Sequence, residues 1–150
     1  MYKFLLFIHV FAAIAMLGPV FLLPALMRMR GGDVPSVTVL RVEHLIGKYV
    51  SGFTVVALAT GAGLMSTSPL LEDRIGEAVW LHIAVTLFLI AAGLGTGFVN
   101  PRMRKAVKAA EAGDAAEVRR LMDPVDKVVG PVLGILVAAI LYLMLMKPDF

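Results

Sequence analysis

The chain has 150 residues, a formal net charge of +3, 59% hydrophobic residues and no cysteine. Its mean hydropathy of +0.88 is typical of membrane proteins. The length fits a single domain, residues 1–150, with no room for a separate soluble enzyme fold. Without cysteine the chain cannot form a disulfide, a thiolate metal cluster, a cysteine nucleophile or a c-type haem attachment.

Four long apolar segments contain no Asp, Glu, Lys or Arg. They are residues 4–27, 49–65, 78–99 and 128–146. A bilayer core about 30 Å thick needs about 20 apolar residues in a helix, and backbone groups in lipid must bond within their own segment. The sequence therefore predicts an all-α membrane protein, an antiparallel four-helix transmembrane bundle.

Proline and small residues predict local features of the first three helices. Helix 1 is predicted to bend at Pro19 and Pro24, because proline removes a backbone donor. Asp33, with Pro35 close behind, is predicted to start helix 2, which then runs from Val37 as an amphipathic turn or two at the headgroups before it enters the membrane. Small residues one turn apart in helices 2 and 3 predict close approach of helix backbones. These residues include Ala57, Gly61, Gly93 and Gly97.

A charged segment, residues 102–122, separates the third and fourth spans and is predicted to be a helical cytoplasmic loop. Asn100-Pro101 is predicted to end helix 3, and Asp123-Pro124 is predicted to begin helix 4. Gly113 is predicted to break the loop helix, and Asp114 with Glu117 to form a capping box that restarts it.

The basic residues divide unevenly between the two sides of the predicted spans. Of the 14 Lys and Arg residues, 11 lie on one side, and Lys3, Arg74 and Lys147 lie on the other. Basic loops stay in the cytoplasm, so both termini are predicted to be extracytoplasmic. The cytoplasmic loops are predicted to contact anionic lipid headgroups, with a partner protein as the alternative. Nucleic acid is disfavoured because no aromatic platform accompanies the charges.

Two of the three histidines, His9 and His82, are predicted to lie inside the membrane. Both are roughly 6–8 Å inside the outer boundary, on parallel helices. Two imidazoles at one depth suit a b-type haem, provided that both face the interior. Small neighbours would leave room for the ring. These neighbours are Ala12, Ala13 and Ala84.

Other interpretations of the histidines stay open. Each could bond a neighbouring carbonyl or snorkel to the boundary. As a zinc or copper site the pair lacks further ligands, although Met16 and Met144 could serve copper(I). His44 lies at the opposite side and is predicted to be solvated or at the headgroups, without a ligand role. No catalytic triad, intramembrane carboxylate pair or phosphate loop is present, so an enzyme is disfavoured.

Several short motifs, in this order and spacing, resemble a superfamily of small bacterial four-helix membrane proteins. They are Leu6-Phe7-Ile8-His9, Gly18, Phe21-Leu22-Leu23-Pro24, Thr60-Gly61, Trp80-Leu81-His82 and Lys147-Pro148. The superfamily includes the copper-resistance D family, the membrane-bound protoporphyrinogen oxidase and an uncharacterised group of predicted integral membrane proteins. The resemblance implies a haem-ligand position at His9. Ala25 and Ala84 stand where the oxidase family has arginine and lysine, so the uncharacterised group is most similar.

Two functional hypotheses follow. One is a b-type haem protein in redox chemistry or haem handling, with His9 and His82 as cofactor-binding iron ligands. The other is a non-catalytic accessory or structural subunit of a membrane complex, or a copper-related membrane protein. In both, the chain is predicted to lie in a bacterial inner membrane and to form a homo-oligomer or part of a larger complex.

Overall fold

The computed structural model of the chain describes residues 1–30, 36–67 and 79–146, without the side chains of Pro24 and Arg30. Within these residues the structure is helical nearly throughout and has no strand. The helices are α1 (Tyr2–Val20), α2 (Leu23–Arg30), α3 (Val37–Thr67), α4 (Val79–Gly93), α5 (Asn100–Glu111), α6 (Ala115–Pro124) and α7 (Gly130–Met146). Two π-helical segments, π1 (Leu94–Val99) and π2 (Val125–Val129), join α4 to α5 and α6 to α7.

Four helical stretches are long and apolar enough to cross a membrane. They are Tyr2–Met29, Val37–Thr67, Val79–Glu111 and Ala115–Met146. The prediction of an all-α membrane bundle is confirmed. The last three stretches have 31 to 33 residues, which is about 47–50 Å of helix against a hydrocarbon core of about 30 Å. The excess length lies at one end of the bundle, which we call the basic end (residues 36–48 and 100–129).

The first span is broken where its prolines predict. Pro19 lies within α1, which ends one residue later, and Phe21 and Leu22 form a turn before α2. The Phe21 N–H donates to the Gly18 carbonyl at 3.3 Å, closing the turn. The predicted bend is therefore confirmed as an interruption of the helix.

The second span begins well before its apolar stretch, as predicted. α3 runs unbroken from Val37 to Thr67. Ser36 precedes it, and its Oγ accepts from the Val39 N–H at 3.4 Å, in the manner of an N-cap. The earlier expectation of a helix start at Asp33 and Pro35 lies outside the described residues.

The third and fourth spans continue into the charged segment, and here the sequence prediction is wrong. Asn100-Pro101 does not end a helix, because π1 leads directly into α5. Asp123-Pro124 does not begin one, because α6 leads through π2 into α7. Pro101 follows two residues after π1, whereas Pro124 lies inside α6 directly before π2, and Pro131 follows two residues after π2. The wider π turn accommodates the missing N–H without ending the helix.

The turn between α5 and α6 matches its prediction more closely. Gly113 has φ +76°, a left-handed value that favours glycine, and the Asp114 N–H donates to the Ala109 carbonyl at 2.9 Å. Asp114 Oδ1 accepts from the Glu117 N–H at 2.9 Å and so caps α6. The reciprocal bond of a capping box is replaced, because the Glu117 carboxylate accepts from Arg120 instead.

The basic end encloses a hydrophobic core between α3, α5, α6 and π2. Its side chains are 0–6% exposed. They are Leu40, Met103, Ala106, Val118, Met122 and Val125. Full burial of a residue such as Leu40 contributes about 1.5–3 kcal/mol. The charged segment is therefore a packed part of the fold and not a loose loop.

At the level of the spans, α1 packs along α3 and α4 along α7. A Cβ placed on Gly61 would lie 3.2 Å from His9 Cε1, and Ala57 is 4% exposed, which confirms the predicted close approach on α3. Gly93 and Gly97 are exposed, and a Cβ on either meets nothing within 4 Å. Their predicted role in packing within the chain is therefore wrong.

Candidate functional sites

His9 is half-buried where α1 meets α3, and its ring orientation is fixed by two hydrogen bonds. Nδ1 lies 3.0 Å from the Ala57 carbonyl oxygen and 3.1 Å from Thr60 Oγ1. The Thr60 hydroxyl has its own acceptor in the Val56 carbonyl at 2.7 Å. Because both neighbours of Nδ1 then accept, we assign the proton to Nδ1. In the neutral ring this leaves the lone pair on Nε2.

His82 does not face the interior of the bundle, although the haem hypothesis requires this of both histidines. The buried face of α4 contains Leu81 (6% exposed) and Ala84 (0% exposed). His82 is exposed, and at about 100° per residue it lies almost opposite Ala84 on the helix. α4 packs mainly on α7, whereas His9 contacts α3. The structure does not bring the two imidazoles together inside one bundle, and haem ligation by the pair stays a prediction.

The small residues predicted to leave room for a ring are used for packing. Ala12 and Ala84 are each 0% exposed, and Ala13 is half-buried. Neighbouring side chains cover both fully buried alanines. Their size therefore allows helices to approach one another.

A site for a bare metal ion is not assembled by the described residues. Among them, no group of three or more His, Cys, Asp or Glu residues could hold a metal. The Met16 sulfur accepts a hydrogen bond from Thr54 Oγ1 at 3.3 Å, which ties α1 to α3. This methionine thus has a structural contact, and copper binding stays a prediction.

Several basic side chains at the basic end have acidic or aromatic partners within 4 Å. The pairs are Arg41 Nη2–Glu111 Oε1 at 2.7 Å, Arg120 Nε–Glu117 Oε2 at 2.6 Å, Lys127 Nζ–Asp123 Oδ2 at 2.6 Å, and Arg102 at 3.4 Å from the Phe98 ring centre. The hydrogen bond from Arg120 lowers the pKa of Glu117 below its usual value. Arg41 and Glu111 join the start of α3 to the end of α5.

A groove of about 480 Å³ lies at the basic end between α3 and the π1–α5 segment. His44 lines it and is half-buried, so of the two predicted surroundings, solvent or the headgroups, full exposure to solvent is not what the structure shows. The same wall carries Lys48, one turn further along α3. Arg104 and Lys105 of α5 face them, so the groove gathers three cations.

Asn100 and Glu43 are two polar positions whose importance the sequence reasoning missed. Asn100 Nδ2 donates to Ser51 Oγ at 2.8 Å, and a Cβ on Gly47 would lie 2.8 Å from Asn100 Oδ1. Glu43 is 2% exposed, three residues after the buried Leu40. The signal for Glu43 was helical spacing, because Leu40, Glu43 and Gly47 share one face of α3.

The fold and these sites define an integral membrane protein with four helical spans. Residues 3–148 match the DUF2269 family, described as predicted integral membrane proteins, and the chain belongs to that family. No curated protein and no solved structure matches the chain.

Proposed function

We propose that the chain is a non-catalytic accessory subunit of a membrane complex, which holds a packed helical platform against one face of the bilayer. The platform is the basic end. The observation that carries the proposal is its closed core, whose six buried side chains are 0–6% exposed. A charged segment that only connected two spans would need no such core. A rigid surface of this kind is suited to hold a partner protein.

The charge distribution supports a cytoplasmic position for the platform. Eleven of the 14 Lys and Arg residues lie in the loops on this side of the spans, and basic loops remain in the cytoplasm. We therefore propose a bacterial inner-membrane protein whose two termini are extracytoplasmic. Its partner would approach the platform from the cytoplasm or within the membrane.

The outer surfaces of the spans support assembly with other chains. Within each span, 6–11% of the most apolar window is buried. Large apolar side chains point outward on several spans, including Phe7 (68% exposed), Val55 (67%) and Ile135 (70%). Lipid, a second copy or another subunit can cover these surfaces.

Site-specific photo-crosslinking in native membranes tests the accessory role. A photoreactive residue at Ala116, which is exposed on α6, should yield a discrete protein adduct heavier than the 16.1 kDa chain. The same residue at Ile135 samples the membrane face of α7. If both positions gave no protein adduct, and the purified chain were monomeric, the accessory role would be rejected.

A second candidate function is b-type haem binding at His9, as one axial ligand. It is favoured by the Nδ1 contact with the Ala57 carbonyl at 3.0 Å, because metal-binding histidines commonly donate their other nitrogen to a carbonyl. His9 and His82 do not form a complete bis-histidine site within one chain. His82 is exposed and would reach a haem at His9 across an interface between copies, not inside one bundle.

An absorption spectrum of the purified protein, with and without added haem, tests this candidate. Bound haem should give a Soret band that is lost in His9→Ala and retained in His44→Ala. A Soret band lost in His82→Ala as well would favour a shared site between copies. Failure to bind haem, or an unchanged spectrum in His9→Ala, would leave the accessory role alone.

A further inference from the structure

The groove between α3 and the π1–α5 segment is built from two facing rows of polar side chains. His44 and Lys48 are one turn apart on α3. Thr96, Asn100 and Arg104 recur at every fourth residue on the opposite wall. Side chains four residues apart lie on one helical face, so both rows point into the same space.

The electrostatics of the groove favour an anion. Lys48, Arg104 and Lys105 line it, and the described lining contains no carboxylate. Within the described part of the chain these three side chains form no ion pair, whereas Arg41, Arg120 and Lys127 do. Lys105 acts on Glu117 of α6 through longer-range attraction. Three like charges at one groove repel one another unless an anion binds between them.

One polar atom of a residue that lines the groove lacks a partner. His44 Nδ1 is buried and has no hydrogen-bond partner among the described residues. Buried polar atoms are nearly always hydrogen-bonded, so this one indicates a missing ligand or water. Asn100, by contrast, is held in place by its bond to Ser51. The His44 side chain lines the groove, so this unsatisfied nitrogen lies beside the space that an anion would occupy.

The depth of the groove distinguishes a lipid from a soluble anion. Thr96 belongs to π1, inside the apolar segment of residues 78–99, and Arg104 lies eight residues further along the chain, about 12 Å along the helix axis. The groove therefore runs from the membrane level to the cationic surface. Leu89 precedes Thr96 by seven residues, about two helical turns, and is exposed, so it offers apolar surface to an acyl chain.

We propose that this groove binds the phosphate group of one anionic phospholipid, with Lys48, Arg104 and Lys105 as its cationic contacts. Arginine offers paired N–H donors to phosphate oxygens, and lysine adds charge. Basic pockets beside transmembrane helices on the cytoplasmic side bind lipid headgroups in this way. The site goes beyond the accessory role, because it needs no partner protein.

Native mass spectrometry of the full chain in detergent, titrated with phosphatidylglycerol or phosphatidylcholine, tests the site. The test variant is K48Q/R104Q/K105Q, and the control K108Q/R120Q/K127Q removes the same charge outside the groove. At about 1 kcal/mol for each cation, we expect the test variant to bind the first phosphatidylglycerol about 100-fold more weakly. The control should remain within about threefold of the unaltered chain.

Further titrations distinguish an anionic phospholipid from free phosphate as the bound anion. Phosphatidylcholine should bind weakly to all three proteins, and inorganic phosphate at equal concentration should not displace phosphatidylglycerol. Equal losses in the test and control variants, or displacement by inorganic phosphate, would overturn the proposal. Should the triple variant fail to fold, Arg104→Gln alone replaces it, with Arg120→Gln as its control. Binding by Arg104→Gln equal to that of its control would then reject the site.

Discussion

Leu40→Ala tests whether the basic end is held together by its own core. Leu40 is 0% exposed and belongs to the cluster formed with α5 and α6. Replacing a fully buried leucine with alanine costs about 2–5 kcal/mol, including the cavity left behind. Since about 1.4 kcal/mol corresponds to a factor of ten, local opening of the basic end should become roughly 30- to 4,000-fold more frequent.

Amide hydrogen exchange of the chain in lipid nanodiscs measures this opening. Exchange should accelerate by that factor in α5 and α6 and change little in α7. Leu45→Ala is the matched control, because Leu45 lies on the same helix and is 64% exposed; its effect should be about twofold or less. Equal acceleration by the two variants, or unchanged exchange in α5 and α6 of Leu40→Ala, would refute the core at the basic end.

Three further predictions concern helix contacts and turns. Gly61→Val should lower the thermal midpoint more than Gly93→Val, because a side chain at Gly61 meets His9 at 3.2 Å and one at Gly93 meets nothing within 4 Å; the reverse order would contradict the α1–α3 contact. Gly113→Ala should cost about 1–2 kcal/mol of unfolding free energy, since φ is +76°, and an effect no larger than that of Gly93→Ala would refute the strain. Asp114→Ala should cost about 1 kcal/mol through loss of the α6 cap, and unchanged exchange of the first α6 amides would argue against the cap.

The four spans were predictable because lipid demands long apolar helices, and the apolar runs are unbroken. The helix limits were less predictable. Asn100-Pro101 was predicted to end helix 3, because proline usually ends a helix, and Asp123-Pro124 was predicted to begin helix 4, because proline is favoured at the first helical position. The structure instead places a π segment before Pro101 and before Pro131 and continues the helices. A π turn depends on packing between helices and leaves little local sequence signal.

The candidate sites, like the helices, were predictable only in part. The depth of each histidine along its helix could be predicted by counting residues from the span boundary. The small residues around Ala57 and Gly61 predicted a close contact between helices. Which way a histidine faces was not readable, because α4 is apolar on all sides. His82 therefore gave no sign that it would be exposed. The groove was missed because its two walls come from segments about 50 residues apart, α3 and α5.

The membrane side of the basic end is the most direct test of the proposed cytoplasmic platform. The chain has no cysteine, so a single introduced cysteine can be labelled without background. Ala116 is exposed at the basic end, and Lys3 is exposed near the other end. With a membrane-impermeant maleimide, Ala116→Cys should react in inverted vesicles and Lys3→Cys in intact spheroplasts. Labelling of Ala116→Cys in intact spheroplasts would contradict the cytoplasmic platform.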